Sequence, residues 1–157
     1  MSVAVADPGA VRRAVASVSD PEYPGVSIAD LGIVVDVRVD GSAGAVEVDL
    51  VPTRLGCPAL DLIRRDVETA ARAVAGVQRV AVSFRHDVHW TADRISERAR
   101  AVLARDLTIA VRAADGAVRC PVCGGTGVEW VTEVGSAPCR SVARCASCSN
   151  PVEVIRP

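Results

Sequence analysis

The chain has 157 residues, half of them apolar, and its charge is nearly balanced, with 18 arginines and no lysine against 19 acids. That composition excludes intrinsic disorder, and a net charge of −1 argues against a nucleic-acid binder. No run reaches the ~18 consecutive apolar residues of a membrane helix, and the first residues lack the basic stretch of a signal peptide, so a cytoplasmic protein is expected.

Residues 8–18 have the period of a short helix, with Val11, Ala14, Val15 and Val18 on one face. Asp20-Pro21-Glu22-Tyr23-Pro24-Gly25 ends it, because proline cannot continue a helix. Residues 33–39 then alternate, with Val35, Val37 and Val39 facing one way and Asp36, Arg38 and Asp40 the other. After the turn chemistry of Gly41-Ser42-Ala43-Gly44, Val46, Val48 and Leu50 repeat the pattern, which predicts a β-hairpin with one buried face.

A helix is predicted over residues 58–75, with Leu60, Ile63, Val67, Ala70, Ala71 and Val74 as its apolar stripe. Asp61–Arg65 and Glu68–Arg72 are i,i+4 pairs on its wet side. A third strand follows over residues 79–86, with Val80, Val82, Phe84 and His86 inward. Next comes a helix over residues 91–107 with Thr91 as N-cap.

The expected fold class is α+β. An α-β-β-α-β-α domain with a three-stranded mixed sheet occupies residues 1–112, a short linker lies near residues 113–116, and a zinc ribbon occupies residues 117–157. The hairpin makes strands one and two antiparallel, and a helical crossover makes strands two and three parallel. The end of strand two, the end of strand three and the start of strand one therefore meet at one edge. Cys57, the histidines His86 and His89 with Trp90, and Asp30-Leu31-Gly32 all fall there, and the Asp20–Pro24 turn leads into it.

Cys57 sits in Leu55-Gly56-Cys57-Pro58-Ala59. Pro58 suits a first helical position and leaves Cys57 as N-cap, where free amides and the helix dipole favour a thiolate. The alternative is a small buried residue. For His86 the alternative is a satisfied core histidine, and for Asp20, Glu22 and Asp30 it is turn-making.

The second part carries five of the six cysteines. Cys120-Pro121-Val122-Cys123-Gly124-Gly125 and Cys145-Ala146-Ser147-Cys148 are two knuckles, and four thiolates in two such pairs read as tetrahedral zinc. A dithiol redox pair and a rubredoxin-like iron site are the alternatives. Zinc is preferred because so short a segment cannot hold a core unaided. Short strands are expected over residues 128–132, 141–144 and 152–155. Cys139 is left over.

Four landmarks together resemble the iron–sulfur assembly domain of the SufT and MIP-type families. They are Asp20-Pro21-Glu22-x-Pro24, Asp30-Leu31-Gly32, Pro52-Thr53-x-x-Gly56-Cys57-Pro58-Ala59 and Trp90-Thr91-x-Asp93. With the ribbon attached, residues 20–148 resemble the D-type subunit family of phenylacetyl-CoA epoxidase, PaaD or PaaJ. Gly135-Ser136, Cys139, Cys145 and Cys148 fit that family's ribbon, and Cys139 falls on a cysteine the family also has, which makes it a further candidate ligand. The family ribbon is richer in aromatics. Here Val134, Val142, Ala143, Val152, Val154 and Ile155 stand in those regions, and Asn150 replaces an acid.

The resemblance implies an accessory subunit rather than an enzyme. It would help mature the iron–sulfur or di-iron centres of a multicomponent monooxygenase that ring-epoxidises phenylacetyl-CoA in phenylacetate catabolism. Cys57 would be the transient ligand for a cluster or iron, on an edge supported by Asp20, Glu22, Asp30, Thr53, Gly56, His86, His89 and Trp90. The implied partners are the oxygenase and reductase subunits and iron–sulfur assembly proteins, with no nucleic acid and no membrane. One thiolate cannot hold a cluster, but two copies in a homodimer could share one. A docking subunit with an inert Cys57 and a small Cys-dependent enzyme are the other readings.

Overall fold

The computed structural model describes residues 4–155; residues 1–3 and 156–157, which the predicted domain ranges include, lie outside the described residues. The chain divides into two compact units, Met1–His89 and Trp90–Pro157.

The first unit contains α1 (Pro8–Ala16), β1 (Val34–Asp40), β2 (Ala45–Leu50), α2 (Leu60–Arg72) and β3 (Arg79–Phe84). Asp7 starts α1: its carboxylate accepts the Gly9 and Ala10 amides, each at 3.0 Å, and Pro8 follows where a missing N–H costs nothing. The sheet order is β1-β2-β3, antiparallel then parallel, as the hairpin and the helical crossover require. Val11 and Val15 of α1, Ile63, Val67 and Ala71 of α2, and Val37, Val46, Val48, Leu50 and Val82 of the sheet are buried. Each such valine, leucine or isoleucine contributes about 1.5–3 kcal/mol.

The connection between α1 and β1 is more than a turn. Tyr23, Val26, Ile28, Leu31 and Ile33 are all buried in it. Its backbone is paired, with the Asp20 amide donating to Val26 O and the Ile28 amide to Val18 O, each at 2.9 Å. The segment therefore buries side chains without orphaning backbone groups.

The opposite face of the sheet carries a charge network. Register places Asp36 opposite Asp49, a like-charge pair that would destabilise the hairpin alone. The Arg38 guanidinium bridges them, at 2.9 Å from each carboxylate, and also reaches Glu47 at 3.1 Å. Arg85 donates to the same Asp49 oxygen at 3.2 Å.

Several expectations for this unit are revised. A bulge between Val34 and Asp36 takes Val35 out of the simple alternation. β3 ends at Phe84, where the Arg85 amide donates to Leu50 O at 2.7 Å, so His86 lies beyond the strand. α2 starts at Leu60 with Ala59 at its N-cap position, which moves the cap away from Cys57. The Glu68–Arg72 pair forms at 3.3 Å, but Arg65 donates to the Asp61 main-chain oxygen rather than to its carboxylate.

The second unit opens with a short 3₁₀ turn, Ala92–Arg94, and continues with α3 (Glu97–Leu107). The predicted single helix over residues 91–107 is thus broken. Ile95 is extended at φ −71°, ψ 126°, and Ser96, not Thr91, caps α3 by accepting the Ala99 amide at 3.1 Å.

Strands β4 (Ile109–Val111), β5 (Val128–Thr132), β6 (Arg140–Cys145) and β7 (Pro151–Ile155) follow in the order β4-β7-β6-β5. β4 precedes the predicted join at residues 113–116, yet it pairs in parallel with β7 beyond it. That pairing draws β4 into the ribbon sheet, and α3, which packs on β4, lies in the same unit. No described helix is long and apolar enough to cross a membrane.

Candidate functional sites

The two knuckle turns of the ribbon deliver four cysteines to one point. The sulfurs of Cys120, Cys123, Cys145 and Cys148 all lie within 4.8 Å of one another. Cys120 and Cys148 are 3.8 Å apart and Cys123 and Cys145 3.6 Å. A tetrahedral zinc with bonds of about 2.3 Å sets its sulfurs roughly 3.8 Å apart, so the donor set fits zinc in number, kind and spacing.

Backbone and side-chain amides surround these sulfurs. The Gly125 amide donates to Cys123 Sγ and Asn150 Nδ2 to Cys148 Sγ, each at 3.4 Å. The Asn150 side chain, then its backbone amide, pull the Cys148 thiol down to about 6. The Gly125 amide acts to lower Cys123, yet the thiols of Cys148 and Cys145 outweigh it and push it up to about 12. Four thiolates this close need a cation among them, which is the chemistry zinc supplies when bound. Cys120 and Cys145 are also core residues, packed with Ala110, Val118, Ala143, Val152 and Val154. The metal cluster and the small core are therefore one structure.

Cys139 stands outside that set. It precedes β6, whose other end is Cys145. Six residues of extended chain at about 3.3 Å each separate the two by roughly 20 Å.

The first unit offers a different site. Gly56, Cys57, Asp61, Arg64, Phe84 and His86 line an open depression. Cys57 comes from the loop after β2 and His86 from the segment after β3. Their shared location follows from the parallel pairing of those strands, which ends at Leu50 opposite Phe84. Gly56, at φ +75° with open space around it, turns the chain into Cys57. Cys57 is half-buried and His86 is exposed, so His86 is not the core histidine of the alternative reading. The Arg64 guanidinium lies over the Phe84 ring at 5.4 Å from its centroid. Sequence reading did not mark Arg64 or Phe84 as site residues. The only signal was spacing: Cys57, Leu60, Asp61 and Arg64 follow one helical face.

The other predicted edge residues do not line the depression. Asp20 is 8% exposed, and its carboxylate accepts the Glu22 amide at 2.8 Å and the Tyr23 amide at 3.2 Å. Asp30 accepts from the Ser27 hydroxyl at 3.2 Å. Both acids shape the α1–β1 connection, as turn-makers do. Glu22 and Thr53 are half-buried, His89 is exposed, and Trp90 is buried at the start of the second unit.

Comparison with known proteins matches both units. The family model for iron–sulfur cluster assembly proteins matches residues 9–84, and that for the PaaD zinc beta ribbon domain matches residues 104–156. An Escherichia coli (strain K12) protein, named as the D-type subunit of a "Putative 1,2-phenylacetyl-CoA epoxidase", is 30% identical over 146 residues, which is 88% of this chain and 86% of that one. A Porphyromonas gingivalis protein named Fe-S protein maturation auxiliary factor is 38% identical over 89 residues, 57% of this chain and 83% of that one. The crystal structure of a domain of unknown function, DUF59, from Bacillus anthracis aligns with a TM-score of 0.56 and 29% identity, covering 61% of this chain and 90% of that one. A likeness that runs through both units at 30% identity places the chain in the PaaD family of epoxidase subunits, and this member is built from an iron–sulfur cluster assembly domain followed by a PaaD zinc ribbon.

Proposed function

We propose that this protein is a non-catalytic accessory factor that matures or maintains the iron–sulfur or di-iron centres of an oxygenase system acting on phenylacetyl-CoA, in the cytoplasm. One observation carries the reading. Cys57, the single cysteine of the first unit, lines an open depression in a domain whose relatives are named Fe-S protein maturation factors.

A thiolate is the soft donor that iron–sulfur clusters take. With one thiol and the His86 imidazole, the depression offers too few ligands to keep a cluster, and its open side leaves room for the rest. A client's cysteines, or Cys57 of a second copy, would complete the set, so the cargo is bound in transit. The oxygenase, its reductase and iron–sulfur assembly proteins are the partners this reading names. The ribbon zinc is structural: it ties the two knuckles together and takes no part in transfer.

A specific feature favours a second reading. Trp130 is 49% exposed on the edge strand β5, with Val131 and Val134 exposed beside it, which suits contact with a partner protein. In that reading the ribbon docks the protein on its complex and Cys57 is inert. Co-expression with the oxygenase and reductase separates the two. Cys57→Ser should keep the fold and the ribbon zinc but lower the iron content of the purified partners. Full metal loading and full epoxidation with Cys57→Ser would leave the docking role.

A further inference from the structure

The depression beside Cys57 holds a cation as well as a sulfur. Arg64 projects from α2, one turn after Leu60, and its guanidinium stacks on Phe84 of β3. Two arginines of the neighbouring sheet face are tied to acids: Arg38 to Asp36, Glu47 and Asp49, and Arg85 to Asp49 and Asp87. Among the described residues, Arg64 has no ion pair, and its guanidinium lies over the ring. An aromatic face holds a guanidinium in a fixed direction while leaving all five donors available.

Asp61 is the acid of the same depression. It sits in the first turn of α2, where the free amides and the positive end of the helix offset its charge. Among the described residues Asp61 and Arg64 form no ion pair, so the guanidinium is left to meet an anion at Cys57.

We propose that Arg64 is a positioning residue that selects anionic, thiolate-ligated cargo at Cys57, with Phe84 as its support. The proposal rests on the reading of Cys57 as the transfer thiol. A cluster held by thiolates alone is an anion, whereas aqueous iron is a cation, so a fixed guanidinium beside the accepting sulfur favours the first over the second. Arginine suits the role because its planar fork stacks and donates at once, which a lysine ammonium does not reproduce.

The test measures charge selection at Cys57 without iron. Zinc-loaded protein in a Cys139→Ser background is reacted with the dianionic disulfide 5,5′-dithiobis(2-nitrobenzoate) and with the neutral 2,2′-dithiodipyridine. In each case the Cys57 thiolate attacks one sulfur, the S–S bond breaks, and the other half leaves as a thiolate or thione. Peptide mapping confirms the modified residue. The ratio of the anionic to the neutral rate cancels general changes in thiol exposure. Arg64→Gln should lower that ratio by about tenfold at low salt and about threefold at physiological salt, the effect of removing one charge roughly 6 Å from a doubly charged reagent in water. Arg64→Lys, which returns the charge without the stacked fork, should restore it only in part, Phe84→Leu should lower it in part, and added salt should narrow the gap between wild type and Arg64→Gln.

An unchanged ratio in Arg64→Gln overturns the proposal. If the ratio falls but Cys57→Ser still gives fully loaded partners, the anion-selecting role of Arg64 stands and the maturation reading fails.

Discussion

Gly124 and Ser149 hold corresponding places in the two cysteine knuckles, each one residue past the second sulfur and each in the left-handed region, at φ 74° and 63°. The two turns are the same structure built twice. The Gly124 amide donates to Cys120 O at 2.8 Å and the Ser149 amide to Cys145 O at 2.9 Å. The Cys120 and Cys145 amides donate in turn to Gly125 O and Asn150 O, both at 2.9 Å. Glycine reaches this conformation freely, whereas serine pays for its Cβ. Ser149→Gly should therefore stabilise the zinc-loaded protein by about 0.5–1 kcal/mol, and Gly124→Ala should cost about 1 kcal/mol. Thermal unfolding of the zinc-loaded variants checks both signs.

Metal removal should act on the second unit alone. Two of the seven residues of its buried cluster, Cys120 and Cys145, are zinc ligands. Structural zinc is worth about 10–16 kcal/mol in small domains, more than the roughly 6–10 kcal/mol that five apolar side chains of this size return. A strong chelator, or Cys120→Ser, should release the β4–β7 sheet while α1 and α2 persist. Both tryptophans, Trp90 and Trp130, lie in the second unit, so their emission should shift to the red while part of the helical circular dichroism remains. Metal-free protein with unchanged emission would count against a structural zinc.

Acid should weaken the first unit through its charge network. Arg38, aided by Arg85, holds Asp49 below the usual carboxylate range, and Arg85 holds Asp87 at about 2. A depressed carboxylate contributes its stability in full above the unfolded value of about 3.9, and that contribution is lost as pH falls through the folded value. The melting temperature of the first unit should thus decline between about pH 4 and pH 2. In Asp49→Asn the starting value should be lower, since Arg38 and Arg85 lose the carboxylate they share, and the decline should be shallower. Parallel slopes for wild type and variant would remove Asp49 from the explanation.

Thiol labelling should follow the metal. With zinc bound, iodoacetamide should modify Cys57 first, because it lines an open depression while the four ribbon sulfurs are engaged. After chelation the four ribbon thiols, released with their sheet, should join it. Peptide mapping at pH 8 decides the order, and a Cys57 that resists while Cys139 reacts would contradict it. Cys139→Ser should leave the zinc content unchanged, since Cys139 and Cys145 sit at opposite ends of β6.

Local pattern was enough for the elements whose faces are strongly apolar. The stripe of α2, the alternation of β2 and the spacing of the two knuckles each reflect a contact repeated along a few neighbouring residues, so period alone reveals them. The shared edge of Cys57 and His86 was also legible, because a helical crossover between two strands forces them parallel. What the sequence could not decide were matters of long-range pairing. Ile109-Ala110-Val111 is too short to announce a strand, and only its ladder with β7 makes it one. The burial of Tyr23, Ile28 and Leu31 depends on hydrogen bonds that close the connection onto itself. The start of α2 moved past Cys57 and the helix after Trp90 broke at Ile95, since terminal turns are weakly held by local preference and settle where packing places them. Arg64 and Phe84, seven residues past Cys57 and two before His86, became part of the site only when α2 was laid across β3.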